Sequence, residues 1–458
     1  MRNETHIEGT HNIVIQGVTE STLTLNVNGE VQEIRNELSA LRTLLESRQT
    51  QTVQYADKIY NIAHIDEANF GFMTGRRAFN EALTRQLIES IQPYSLAAKR
   101  FLEKVASIAD WEHEVRFSNK AKEILAYSFV GVLGIQLSKL MAIGKEDFSD
   151  AKQRKYIAKC IEIARYATNL LCVTLLSKLW DEQRQQPRFF SRHERQVLEA
   201  FFQNHFESSL PERLRLLQVL DGIFAQAEHA LPLPLEEWHD FRTTITEGGA
   251  FATSIEALAA LQVRIDRAQY NLLDCVEAEN QLTVFLSQVA FLTRYRMASI
   301  RHIGYWQPRN ADARYLHRYT ALGIDNKAQK DAEKINCTPE TVQTDAVLLY
   351  RDDNYSRHIC LSPFLIDYNA LTFEHGPKIC FFLSQAIDGD ILEYVFHEDG
   401  SVVRLEKQGI LKPDTDLNEL MLEQQKQKIL NLDNMVSLFH EAHACLLGAV
   451  EEIDFEDL

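Results

Sequence analysis

Between residues 294 and 319 the chain carries six arginines, Arg294, Arg296, Arg301, Arg309, Arg314 and Arg318, against a single acid, Asp312. Tyr295, Tyr305, Trp306, Tyr315 and Tyr319 are interleaved with them. Guanidinium groups beside aromatic planes can grip a phosphate or stack on a base. They can equally hold an acidic module of the same chain. The segment is therefore a candidate anion-binding site, with Tyr305 and Trp306 as its aromatic members, or an internal contact.

Other reactive residue types are present without the spacing that chemistry requires. His440-Glu441-Ala442-His443 places its histidines three apart, whereas the zinc-protease helix needs them four apart, and no third ligand is nearby. Cys360 and Cys380 fall in apolar, strand-like stretches near His358 and Phe381. Cysteines in such settings behave as small hydrophobes more often than as nucleophiles. The acidic pairs Asp352/Asp353 and Asp388/Asp390 sit where turn chemistry alone explains them. There is no GxxxxGK(S/T) loop, GxGxxG turn or GxSxG elbow. The expectation is a protein that is not an enzyme and needs neither metal nor cofactor.

A chain of 458 residues with 45% apolar and 25% charged residues has the composition of a globular protein of several domains. Its formal charge of -17 disfavours general nucleic-acid binding while leaving room for a local basic site. Seven scattered cysteines without a CxxC pair fit a reducing compartment, so a cytoplasmic location is expected. The opening MRNETHIEGTHNIVI lacks the apolar core of a signal peptide. The apolar stretches 124–138 and 167–177 raise a membrane-acting reading, but the first meets Lys139 well before the roughly 20 residues that a span requires.

These residues must be positioned by a mainly α fold of the α+β type. It is expected to be a multi-helix bundle with an N-terminal β-hairpin and a small C-terminal antiparallel sheet. Residues 12–18 and 22–28 alternate as a hairpin, with Leu23, Leu25 and Val27 on one face. Val31, Ile34, Leu38, Leu41 and Leu45 then recur at heptad spacing on a helix. Residues 1–54 thus form a lopsided module that must pack on the chain, on a second copy or on a partner.

Helical periodicity fills 55–303. One helix is expected over 121–141, a long apolar one over 152–185, a Ser191/Glu194 capping box before the next, and a last helix over 278–303. Residues 304–345 read as a connector. The final unit, 346–458, holds strands at 346–350, 357–361, 378–383, 391–396 and 402–405, expected to form one sheet, and a closing helix over 417–447.

The segment NIVIQGVTESTLTLNVNGEVQEIRNELSALRTLL resembles the short hairpin-plus-helix modules that open bacterial conflict proteins, including those associated with STAND and NACHT NTPases and with effectors. The stretch LSPFLIDYNAL at 361–371, followed by KICFF, resembles the C-terminal ends of bacterial defence-type proteins. The resemblance implies an interaction role and transfers no catalytic residue. The resulting expectation is an adaptor or scaffold of an antiviral defence pathway, working as a homo-oligomer or with a protein partner such as a STAND-type NTPase. A membrane effector and an anionic-ligand or nucleotide sensor are the alternatives.

Overall fold

The computed structural model describes residues 79–447 except 107–112, 145–148, 205–207, 227–234, 308, 311, 324–332, 387–390 and 408–418; before residue 79 it describes the backbone of five strands. Those strands are β1 (Glu4–Ile7), β2 (His11–Gln16), β3 (Thr22–Val27), β4 (Gln51–Tyr55) and β5 (Lys58–Ile62). They form a sheet in the order β1-β3-β2-β4-β5, in which the expected hairpin is β2–β3. β1 joins β3 in parallel, and β4–β5 is a second hairpin on β2. The heptad segment with Ile34, Leu38, Leu41 and Leu45 lies outside the described residues, as does the acidic C-terminus.

The body is built on helices α1 (Glu81–Ser90), α2 (Leu96–Ala106), α3 (His113–Ser128), α4 (Gly131–Ile143), α5 (Asp150–Gln185), α6 (Arg192–Asn204), α7 (Leu210–Gln226), α8 (Trp238–Ile245), α9 (Ala250–Asp266) and α10 (Leu272–Gln288). α5 is buried on every side from Tyr166 to Ser177 and is the central post, packing against α4, α7, α9 and α10. It is also the only described helix long and apolar enough to cross a membrane, yet 89% of its most apolar window is buried in the fold. Each fully buried aliphatic side chain along it contributes about 1.5–3 kcal/mol. A membrane role for 167–177 would have to withdraw that post.

The Ser191/Glu194 capping box forms at the start of α6: Glu194 accepts from the Ser191 N–H at 2.7 Å, and Ser191 Oγ accepts from the Glu194 N–H at 3.3 Å. Ser209 and Glu212 repeat the device at α7. The helix expected over 121–141 is two helices, α3 and α4, interrupted at Phe129 and Val130. The stretch 124–138 therefore bends in its middle, and Gly131 lets the start of α4 press onto the chain at Leu322.

After α10 a short 3-10 turn, Ala290–Arg294, leads not into more helix but into β6 (Tyr295–Trp306). Within β6 the register shifts between Ile300 and His302, so that Ile300 and Ile303 both turn to the same small apolar cluster. These two isoleucines are thereby spaced by three on one face, as on a helix, although the backbone is a strand. The proposed connector likewise carries β7 (Arg314–Leu322) and β8 (Lys334–Thr338), and the 303/304 boundary falls inside β6.

β9 (Val347–Arg351) and β10 (Asn354–Cys360) complete this sheet, entirely antiparallel in the order β10-β9-β6-β7-β8. The strands expected to make one C-terminal sheet are thus shared between two. β11 (Leu365–Asp367), β12 (Ile379–Gln385), β13 (Ile391–Phe396) and β14 (Val402–Glu406) form the other, with the short α11 (Tyr368–Thr372) after β11 and α12 (Glu419–Leu447) closing the chain.

One continuous hydrophobic core links the helices to both sheets. Phe201, Phe202, Phe364, Phe382 and Phe439 meet within it; the Phe382 and Phe439 rings are 4.5 Å apart. Such pairs add about 0.5–1.5 kcal/mol each beyond burial. The described chain is mainly α with small antiparallel sheets.

Candidate functional site

The arginine-rich segment is divided by the fold into an engaged half and an open half. Arg294, at the end of the 3-10 turn, donates to Glu237 Oε1 at 2.7 Å, with its guanidinium 5.0 Å from the ring centre of Tyr94. Arg296 donates to the Ser128 carbonyl at 2.9 Å, which ties β6 to the C-terminus of α3, and pairs with Asp352 at 3.3 Å. Arg301 reaches the buried Asp367 at 2.8 Å and the Gly376 carbonyl at 3.2 Å. These three hold the sheets to each other and to the helices.

Arg294 and Arg296 also line a cleft of about 750 Å³ between the α1–α2 turn, α3 and the β9–β10 turn. Its walls carry Lys99, Lys120 and Arg351 alongside Tyr94 and Tyr127. Asp352 and Asp353, the acids of the β9–β10 turn, sit at its rim, where Asp353 pairs with Arg351 at 2.8 Å. Glu236 also pairs with Arg351, and Lys120 pairs with Glu123 at 2.8 Å. An anion binding Arg294, Arg296, Arg351 or Lys120 here would displace carboxylates already paired with them. Partly exposed pairs of this kind contribute little individually, so any anion binding in this cleft would depend on that exchange.

The open half lies on β6 and β7 beyond the body. Arg309, Arg314 and Arg318 are exposed, as are Tyr305 and Trp306. The rings of Tyr305 and Tyr315 meet edge-on, with centres 5.9 Å apart, on one face of the ribbon, while Trp306 and Arg314 are cross-strand partners on the other.

Among the remaining candidates, Cys360 and Cys380 lie on different sheets, and each thiol points to a nearby carbonyl: Ser362 for Cys360 and Lys378 for Cys380. Burial pushes the Cys360 thiol up to about 12 and raises that of Cys380 as well, which suppresses the thiolate. His443 on α12 packs its ring 4.7 Å from that of Phe202, and burial lowers its basicity. No group of three or more metal-ligating side chains converges among the described residues. Asp388 and Asp390 lie outside them.

Sequence reasoning did not single out the buried network at the base of the body. The Glu279 carboxylate on α10 accepts from the Asn80 N–H at 3.0 Å and from the Tyr156 hydroxyl on α5. Burial pushes its carboxyl up to about 7, even though these hydrogen bonds act the other way. Its only sequence signal was a glutamate on the apolar face of α10. Nothing about that position marks an acid as exceptional until Asn80 and Tyr156 arrive from other segments.

Of the proposed interaction residues, Leu23, Leu25 and Val27 occupy alternate positions of β3, opposite Ile15, Ile13 and His11 of β2. Compared with protein-family models, with curated proteins and with solved structures, the chain matches none.

Proposed function

We propose that this chain is a non-enzymatic adaptor or scaffold that self-associates through its N-terminal module. On this reading it works in the cytoplasm within a bacterial antiviral defence or conflict pathway, beside a protein partner such as a STAND-type NTPase. The observation that carries the self-association is the register of the N-terminal sheet. Ile7 aligns with Leu25, Ile15 with both Leu23 and Val53, Ile13 with both Leu25 and Tyr55, and Val53 with Tyr60. Strand alternation puts all of these positions on one face. The same face carries Thr5, His11, Gln51 and Lys58 as well, while the intervening positions are mostly Thr, Asn and Gln, with Glu4, His6, Val14 and Ile59 as exceptions.

A five-stranded sheet with one apolar face needs a cover. A second copy brings an identical apolar face, and it also brings the heptad series through Ile34, Leu38, Leu41 and Leu45. The pathway assignment rests on the resemblance of this module to the openings of bacterial conflict proteins.

Light scattering coupled to gel filtration tests the reading on the full chain. A mass that is a multiple of 52.7 kDa is expected. Leu25→Glu should return it to one chain, whereas Thr24→Glu, at a position of the opposite face, should leave it unchanged. A single-chain mass for the unaltered protein at all concentrations would defeat the proposal.

A further inference from the structure

The outer half of the β6–β7–β8 ribbon has two faces of different character. On the inner face Ile300 and Tyr319 belong to a small apolar cluster with Leu348 and Tyr350. On the other face the register sets His302 opposite Arg318, Gly304 opposite Leu316 and Trp306 opposite Arg314, and Arg318 is followed on β8 by Ile335. His302, Arg314 and Arg318 are exposed; Trp306 is 52% exposed and Ile335 63%. Nearer the body, Met297, Leu322 and Leu349 of the same sheet are buried in the main core. The outer face is therefore a solvated platform on an anchored sheet.

Its chemistry departs from that of the chain as a whole. In a protein of formal charge -17, none of these register positions carries an acid; Asp312, Glu333 and Glu340 flank the strands. Arg314 and Arg318 form no ion pair with a described residue, unlike Arg294, Arg296 and Arg301. Trp306 and His302 stand four residues apart on one strand, about 13 Å at the usual rise, each with a guanidinium directly across. Between them Gly304 has no side chain of its own, and the Leu316 side chain packs beside it.

Flat aromatic groups flanked by unpaired cations on an open antiparallel sheet match unpaired bases on a phosphate backbone. A duplex would offer only its phosphates to the same surface. We infer that this face, centred on Trp306, Arg314 and Arg318, binds single-stranded nucleic acid without strong sequence preference. The inference is independent of the N-terminal module and concerns a different surface.

Fluorescence anisotropy of the full chain with labelled strands of about 12 nucleotides, single and duplex, in about 50 mM salt, tests it. Single strands should bind more tightly than duplex, and added salt should weaken binding. Trp306→Ala should weaken it about tenfold, while Trp306→Phe should keep most of the affinity. Replacing Arg314 and Arg318 together by Gln should lower the slope of log affinity against log salt by about 1.4, two phosphate contacts. Circular dichroism of each variant should be unchanged, since the positions are exposed. No binding, equal binding of duplex, or indifference to Trp306→Ala would overturn the inference. Equal competition by polyglutamate would also overturn it and would assign the face to an acidic protein.

Discussion

The backbone N–H of Asn80 donates to Glu279 Oε2 at 3.0 Å, joining the residue before α1 to the middle of α10 across 199 positions of sequence. Asn80 holds φ at 79°, a left-handed conformation that asparagine tolerates better than most residues. Its side chain is pressed by the turn after α4, where a Cβ on Gly144 would stand 2.2 Å from Asn80 Nδ2. With Tyr156 also donating to Glu279, one carboxyl locks α1, α5 and α10 together.

That lock responds to pH. Burial raises the Glu279 carboxyl from 4.5 to about 7, so the folded chain holds this proton more tightly than the unfolded chain. The associated stabilisation is complete below the unfolded value and is lost as pH rises through about 7, an effect of up to ~3 kcal/mol. Asp345, also pushed up to about 7 by burial, acts with the same sign, so a variant is needed to isolate Glu279. Urea denaturation between pH 5 and 8 should show the native chain losing stability more steeply than Glu279→Gln. Parallel curves for the two proteins would refute this account.

Arg301 and Asp367 make the second lock, a 2.8 Å ion pair in which the carboxylate is fully buried and also accepts from the Lys378 N–H at 2.8 Å. Arg301→Ala strands that carboxylate and should cost about 3–5 kcal/mol. Adding Asp367→Asn removes the stranded charge, so the double variant should be more stable than the sum of the single losses predicts. Simple additivity in chemical denaturation would show that the two groups are not coupled.

What the sequence made legible was local. The long core helix, the Ser191/Glu194 capping box and the turn-bounded strands of the C-terminal half all rest on periodicity or on pairs of residues a few positions apart. The helix expected as far as 303 gives way to β6, whose register shift sets Ile300 and Ile303 on one face at a helical spacing. Once β6 and β7 are strands, β9 and β10 gain partners from 295–322, and a single C-terminal sheet is no longer the best pairing. The cleft is half visible in sequence: Arg294 and Arg296 belong to the arginine-rich segment, but Lys99, Lys120, Tyr94 and Arg351 arrive from elements remote in the chain. Long-range convergence leaves no mark on a local pattern.

Two glycines make opposite predictions from the same substitution. Gly222 sits within α7, where an added Cβ would meet nothing within 4 Å, so Gly222→Ala is left with helix propensity alone and should stabilise by about 0.5–1 kcal/mol. Gly131 opens α4, and there a Cβ would lie 2.0 Å from the Leu322 carbonyl oxygen and 2.7 Å from its carbon. Both obstacles are main chain at the end of β7, which cannot swing aside as a side chain would. Relief therefore requires α4 and the sheet to separate, at about 1–3 kcal/mol, and that outweighs the propensity gain. Urea midpoints should rise for Gly222→Ala and fall for Gly131→Ala. If both rise, the close approach of α4 to β7, on which the seating of the sheet against the helices depends, is not a constraint on the fold.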